Sequence, residues 1–182
     1  MKKQFRTDIM KINERRPNHV IISKASKLIC SGEIIAFPTE TVYGLGANAL
    51  DPSAVSKIFE IKGRPSDNPL IIHIADMKTL ENLVSQIPPR AYLIIKKFWP
   101  GPVTLVLKKS KIVPKITTGG LNTVAVRMPR NNVALALIRK SALPIAAPSA
   151  NISGRPSPTT ATHVKDDLDG KIKLILDGGS TK

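Results

Sequence analysis

Two loops carry most of the residues able to do chemistry. Pro38-Thr39-Glu40-Thr41-Val42-Tyr43-Gly44-Leu45-Gly46 and Lys62-Gly63-Arg64-Pro65-Ser66-Asp67-Asn68-Pro69 each follow an apolar run and each combine Pro, Gly, hydroxyls and charge. Proline and glycine fix unusual backbone angles, so small polar side chains and bare N–H groups can converge on one point. A third polar stretch, 148–158, adds Ser149, Asn151 and Ser157. Lys62 and Arg64 sit where a helix ends, a position that suits cations through the helix dipole alone. Gly63 and Pro65, however, fix the direction in which the two long side chains project. Arg offers a planar fork to phosphate and Lys a point charge, so the pair reads as a phosphate-binding element.

Thr123 and Arg127 lie four apart on one apolar strand and so face the same side of a sheet. A cation at the end of such a strand requires a carboxylate or phosphate partner. His73, inside the apolar run 70–74, reads by itself as a satisfied core histidine, and Asp67 and Asn68 as turn formers. Other motifs fail on context. Gly44-Leu45-Gly46-Ala47-Asn48-Ala49 matches G-x-G-x-x-G/A formally, but its first glycine lies past the strand and the next helix starts only near Pro52. There is no P-loop and no G-x-S-x-G elbow. His19, His73 and His163 lack metal-ligand spacing, so no residue is assigned to a metal.

The elements that must position these residues follow from pattern. Helices are expected at 23–30, at 52–62 (N-cap Asp51, Pro52 first, Gly63 as stop), from Asp76 to about 84, from Pro89 to about 98, at 132–140 and at 159–168. Strands are expected at 33–37, 69–74, 103–107, 123–127, 144–147 and 171–176, with residues 1–18 as a strand or extended arm. The first loop is read as irregular throughout. Helix and strand alternate along all 182 residues, with no repeat and no linker. That predicts one α/β domain of three layers: a mixed, twisted open sheet flanked by helices, with polar loops gathered at strand ends.

Lys and Arg number 28 against 13 Asp and Glu, a net charge of +15. This favours nucleotide phosphates, RNA or an acidic surface as partners, or else reflects a lysine-rich surface. The single cysteine, Cys30, excludes an internal disulfide and is read as a small buried hydrophobe. No apolar stretch suits a signal peptide or a membrane span, so a reducing cytoplasm is expected.

The blocks PTETVYGLG, KGRPSDNPL and APSANISGRPSPT resemble those of the YrdC-like threonylcarbamoyl-adenylate synthases, and the resemblance runs from about Ser23 to Gly179. The family's K-x-R and S-x-N signature falls on Lys62/Arg64 and Ser149/Asn151. The resemblance implies a YrdC-like fold and a reaction in which ATP, L-threonine and bicarbonate give threonylcarbamoyl-adenylate and pyrophosphate. A separate transferase complex would then use the product to modify tRNA beside the anticodon. It also implies a threonine pocket of Thr41, His73, Ala147 and Arg127. Lys62, Arg64, Asn68, Thr123, Ser149, Asn151 and Ser157 would hold the nucleotide, with Lys62, Arg64, Ser149 and Asn151 as the catalytic set. Mg²⁺ would enter with ATP; Glu40 is given no role.

In the family, the core continues past the D-G-G turn, whereas here the sequence reads Asp177-Gly178-Gly179-Ser180-Thr181-Lys182. A C-terminally incomplete domain, an exposed sheet edge and impaired turnover are therefore expected. Two rivals stand beside the synthase: a protein that holds tRNA or double-stranded RNA on a basic concave face without catalysis, and a related carbamoyl-adenylate enzyme of the hydrogenase-maturation type. The latter resides in much longer chains with further segments.

Overall fold

The computed structural model describes residues 6–181. Residues 1–5 of the expected N-terminal arm, and Lys182, lie outside the described residues. Eight strands form one mixed sheet in the order β1-β8-β2-β3-β7-β4-β6-β5. They are β1 (Asp8–Lys11), β2 (Ile35–Pro38), β3 (Tyr43–Asn48), β4 (Ile71–His73), β5 (Leu105–Lys108), β6 (Thr123–Arg127), β7 (Ile145–Ala146) and β8 (Leu174–Asp177). The helices are α1 (His19–Cys30), α2 (Pro52–Lys62), α3 (Met77–Leu83), α4 (Pro89–Phe98), α5 (Asn132–Ser141) and α6 (Ala161–Leu168).

Central strands are largely apolar on both faces, with polar residues at their ends (Asn48, His73, Asp177), because each face meets a helical layer. In β8, Leu174 and Leu176 join one core while Ile175 joins the other; in β2, Ile35 and Phe37 oppose Ala36 in the same way. One core is closed by α2, α3, α4 and α6, the other by α1 and α5 alone. The α1/α5 layer does not reach the far end of the sheet. There Val106 is 64% exposed, and Thr123 is exposed on the same face. That half of the face is open.

Local signals explain most boundaries. Asp51 caps α2 by accepting from Ser53 N and Ala54 N, Pro52 opens it, and Gly63 closes it at φ 60°. Asn18 caps α1 at Val20 N and Ile21 N, so the helix starts four residues before the expected 23. The chief correction concerns the first loop, half of which is β3, paired antiparallel with β2 from Ile35↔Gly46 to Pro38↔Tyr43. Glycines normally weaken a strand; here they admit a neighbour, since a Cβ on Gly46 would lie 2.6 Å from Phe37 Cε1. Cys30 is a second correction. It is exposed at the end of α1, its thiol 3.6 Å from the Ser141 carbonyl, because the helix turns its apolar stripe (Ile22, Ala25, Ile29) inward and leaves Cys30 off it. The sheet edges are β1 and β5; β8, the last strand, is flanked by β1 and β2 and is not an edge. Among the described residues, no helix is long and apolar enough to cross a membrane.

Candidate active site

β4 and β6 run parallel with His73 opposite Arg127, so both side chains leave the sheet on the same face. Arg127 is 8% exposed and His73 3%. Two groups reach Arg127 from the β2–β3 turn. Its Nη2 lies 2.9 Å from Glu40 Oε1 and donates to Thr41 Oγ1 at 3.2 Å. Thr39 shapes that turn: its Oγ1 accepts from Thr41 N (3.2 Å) and Val42 N (3.3 Å) and donates to the Val42 carbonyl (2.8 Å). Burial pushes the Glu40 carboxyl up, but the Arg127 guanidinium and local backbone dipoles outweigh it and hold the group below its ordinary range. Burial, reinforced by Arg127, pushes His73 down to about 4, so its imidazole is neutral at pH 7. The ring stands edge-on to Phe37, centroids 6.3 Å apart.

This corner is polar and incomplete. Glu40 and Arg127 are in ionic contact without hydrogen-bond alignment. Both Glu40 oxygens, Arg127 Nε and His73 Nδ1 are buried with no hydrogen-bond partner. Buried polar groups are nearly always paired, so a cluster of orphans marks a place for a ligand or ordered water. His73 is buried, as expected of a core histidine, but its Nδ1 is left without a partner.

Lys62 builds the second corner. At the end of α2 it is 2% exposed, and its ammonium donates to the carbonyls of Ser149 (2.6 Å) and Asn151. Burial, with Arg64 adding repulsion, pushes its pKa down to about 8. The side chain therefore ties the third loop to α2 as well as bringing charge to it. Asn151 spends both amide protons on Ile152 O (2.9 Å) and Arg155 O (2.7 Å), leaving a buried Oδ1 without a partner. Asp167 holds the loop from below, accepting from Ile152 N at 3.0 Å and pairing with Arg155 at 2.6 Å. The loop joins β3 through Ala150 N to Tyr43 O (2.8 Å) and the Gly44↔Ser149 bridge.

The remaining sequence-predicted residues take looser positions. Arg64 is half-buried and donates to Pro69 O at 3.2 Å. Asn68, Thr123 and Ser157 are exposed, and Ser149 is half-buried. Ala147, 5% exposed, donates its N–H to Ile71 O at 2.9 Å beside β4. Thr123 shares the face of Arg127 but sits roughly 13 Å along the strand. Gly119 lets the Lys62–Pro69 loop close against 115–120, since a Cβ there would lie 2.4 Å from the Asp67 carbonyl.

Sequence reasoning left Glu40 without a role, although an arginine in search of a carboxylate and an acid in the first loop were both visible. The chain end was missed too. Thr181 Oγ1 donates to Thr41 O (3.0 Å), and Tyr43 OH donates to Gly179 O (2.6 Å). This segment helps line a cavity of about 440 Å³ with Glu14, Thr39, Glu40 and Arg130.

Residues 27–182 match the Sua5/YciO/YrdC family, described as "Telomere recombination". The chain belongs to that family. It is 63% identical over 158 residues to the threonylcarbamoyl-AMP synthase of Pyrococcus abyssi (87% of this chain, 46% of the relative). It is 57% identical over 171 residues to the synthase of Bacillus subtilis (93% and 49%). The chain thus spans about half the length of these curated relatives. The crystal structure of P. abyssi Sua5 complexed with L-threonine superposes with a TM-score of 0.94 at 60% identity, covering 96% of this chain and 51% of that one. The three-layer α/β fold read from the sequence is the Sua5 fold.

Proposed function

We propose that this Sua5-family chain makes threonylcarbamoyl-AMP and pyrophosphate from ATP, L-threonine and bicarbonate. The observation that carries the reading is the group of buried, unpartnered polar atoms on Arg127, Glu40 and His73 beside Thr41. It lies in a fold shared with a relative crystallised with L-threonine. The threonine ammonium gives up a proton and the amine adds to carbon dioxide from bicarbonate, giving a carbamate and releasing water and one proton overall. A carbamate oxygen then attacks the α-phosphorus of ATP, and pyrophosphate leaves.

Arg127 would hold the threonine carboxylate, with Thr41, His73 and Ala147 around the rest of the amino acid. His73, kept neutral, can serve the hydroxyl without adding charge. Arg64, Ser149, Asn151 and Lys62 would receive the triphosphate, with Asn68, Thr123 and Ser157 toward its periphery. Transfer at phosphorus asks the protein mainly for positioning and cationic stabilisation. The donors at this corner are cations, hydroxyls and amides, so the oxygens suited to Mg²⁺ are those of the triphosphate itself, and the ion would arrive with ATP. There it would offset phosphate charge. The product would pass to a transferase complex acting on tRNA in the cytoplasm. The +15 net charge favours contact with RNA in that context.

The test is pyrophosphate release from ATP, with threonine and bicarbonate omitted in turn, alongside calorimetric binding of threonine. Release that needs both co-substrates supports the proposal. Release from ATP alone, or no threonine binding, overturns it. RNA binding that survives loss of Arg127 while ATP and threonine fail to bind would favour an RNA-binding protein instead.

A further inference from the structure

We infer that Glu40 is a specificity residue of the amino-acid pocket: with Arg127 it makes the pocket a receptor for a zwitterion, its carboxylate taking the substrate's ammonium. The inference rests on the threonine reading above and deepens it. Arg127 and Glu40 stand 2.9 Å apart with side chains 10% and 18% exposed, and Glu40 is held in its ionised form. His73 beside them is neutral. The charges of the pocket therefore sum to zero.

A bare carboxylate entering such a pocket would gain Arg127 but meet the negative charge of Glu40 in a water-poor setting, where like charges repel strongly. A free amine cation would face the converse. A molecule carrying both signs on one carbon satisfies both residues and leaves no buried charge uncompensated. The orphaned atoms match this need. Arg127 retains an undonated Nε–H for a carboxylate, and Glu40, whose Oε1 meets Arg127 in an ion pair, has neither oxygen in a formed hydrogen bond. Those oxygens are buried, so the ligand must be admitted by the β2–β3 turn. That turn is held by polar contacts: the small Thr39 network, Thr181, and Arg127 itself through Glu40 and Thr41. Glu40 also lines the adjacent 440 Å³ cavity, which gives the turn room to yield.

The experiment compares two ligands on the intact chain: L-threonine and its des-amino analogue 3-hydroxybutyrate, which keeps the carboxylate and hydroxyl. Their dissociation constants are measured for the native chain, Glu40→Gln and Glu40→Asp. Loss of a charge-assisted contact should weaken threonine binding roughly tenfold or more in Glu40→Gln. The analogue should bind that variant as well as or better than it binds the native chain, and Glu40→Asp should recover part of the preference for threonine. If Glu40→Gln tightens both ligands, Glu40 merely occupies the carboxylate seat and the inference is wrong. If both weaken equally, Glu40 only shapes the turn, and the inference is again wrong. Absence of threonine binding by the native chain would instead sink the underlying threonine reading. The thermal midpoint of each variant establishes that it is folded before binding is compared.

Discussion

Replacing Lys62 by methionine separates two roles that sequence alone leaves fused. The ammonium donates to the Ser149 and Asn151 carbonyls, and the residue is 2% exposed. Each charge-assisted hydrogen bond contributes about 1.5–3 kcal/mol, so removing two costs about 3–6. Against this, the site disfavours the cation. The shift from 10.5 to about 8 corresponds to about 3 kcal/mol at about 1.4 per pKa unit. Residual solvent screening reduces that relief to about 2 kcal/mol. The net is a loss of roughly 1–4 kcal/mol, and a loss of about 2 lowers the midpoint of a chain this size by about 4–8 °C. Hydrogen exchange at Ala150 and Ser153, whose amides bond to Tyr43 O and Lys62 O, should quicken. The pH dependence has a definite sign. Between about 8 and 10.5 the unfolded chain binds the proton that the folded chain has released, so native stability rises with pH there. Lys62→Met should lack that rise. The assay is thermal unfolding from pH 7 to 10.5, with exchange at pH 7. An unchanged midpoint and unchanged loop exchange, with ATP binding lost, would show that Lys62 serves phosphate only and refute the tether.

Arg127→Met should abolish measurable threonine binding. It should also destabilise the chain by about 2–3 kcal/mol, because Glu40 is left partly buried without its partner; calorimetry and denaturant unfolding check the two halves. Gly119→Ala combines a φ of +58° with a Cβ placed 2.4 Å from the Asp67 carbonyl. It should cost about 2 kcal/mol or more and displace the Lys62–Pro69 loop, weakening ATP before threonine; an unchanged ATP affinity would contradict the packing argument. His73, lowered to about 4 from 6.5, should show no imidazole protonation by NMR between pH 5 and 8. Because the unfolded chain takes up that proton first, the His73 contribution to stability is present above about 6.5 and is lost as pH falls toward 4. His73→Gln should flatten that part of the acid limb.

Much of this molecule is written locally. The α2 helix follows from Asp51, Pro52 and Gly63, each acting within a few residues through a cap, a fixed φ or a left-handed stop. Apolar periodicity places the start of α1 too late because the polar cap Asn18 precedes a first turn whose His19 and Val20 face solvent. Strand β3 escaped because Gly44 and Gly46 carry the mark of a turn. The reason for Gly46, the Phe37 ring and Ile145 across the sheet, and for Gly44, the Ala147 side chain, is visible only once distant strands pair. Cys30 departs from expectation for a related cause: an apolar neighbourhood in sequence does not say which side of the helix faces the core.

The site divides in the same way. The residue types of the two loops, and the need of Arg127 for a carboxylate, belong to the sequence, since side-chain chemistry and turn geometry are local. Which acid answers Arg127 does not. Glu40 is 87 positions away, and only the β2–β3 hairpin, carried beside β4 and β6 through β7, brings it to 2.9 Å. Likewise the sequence supplies Lys62 as a cation, but the packing of α2 against the Ser149–Asn151 loop makes it a buried donor to two carbonyls. Local propensity decided the elements and the chemistry available. Long-range strand pairing, which no residue specifies alone, decided which groups meet and which are left without partners for a ligand to satisfy.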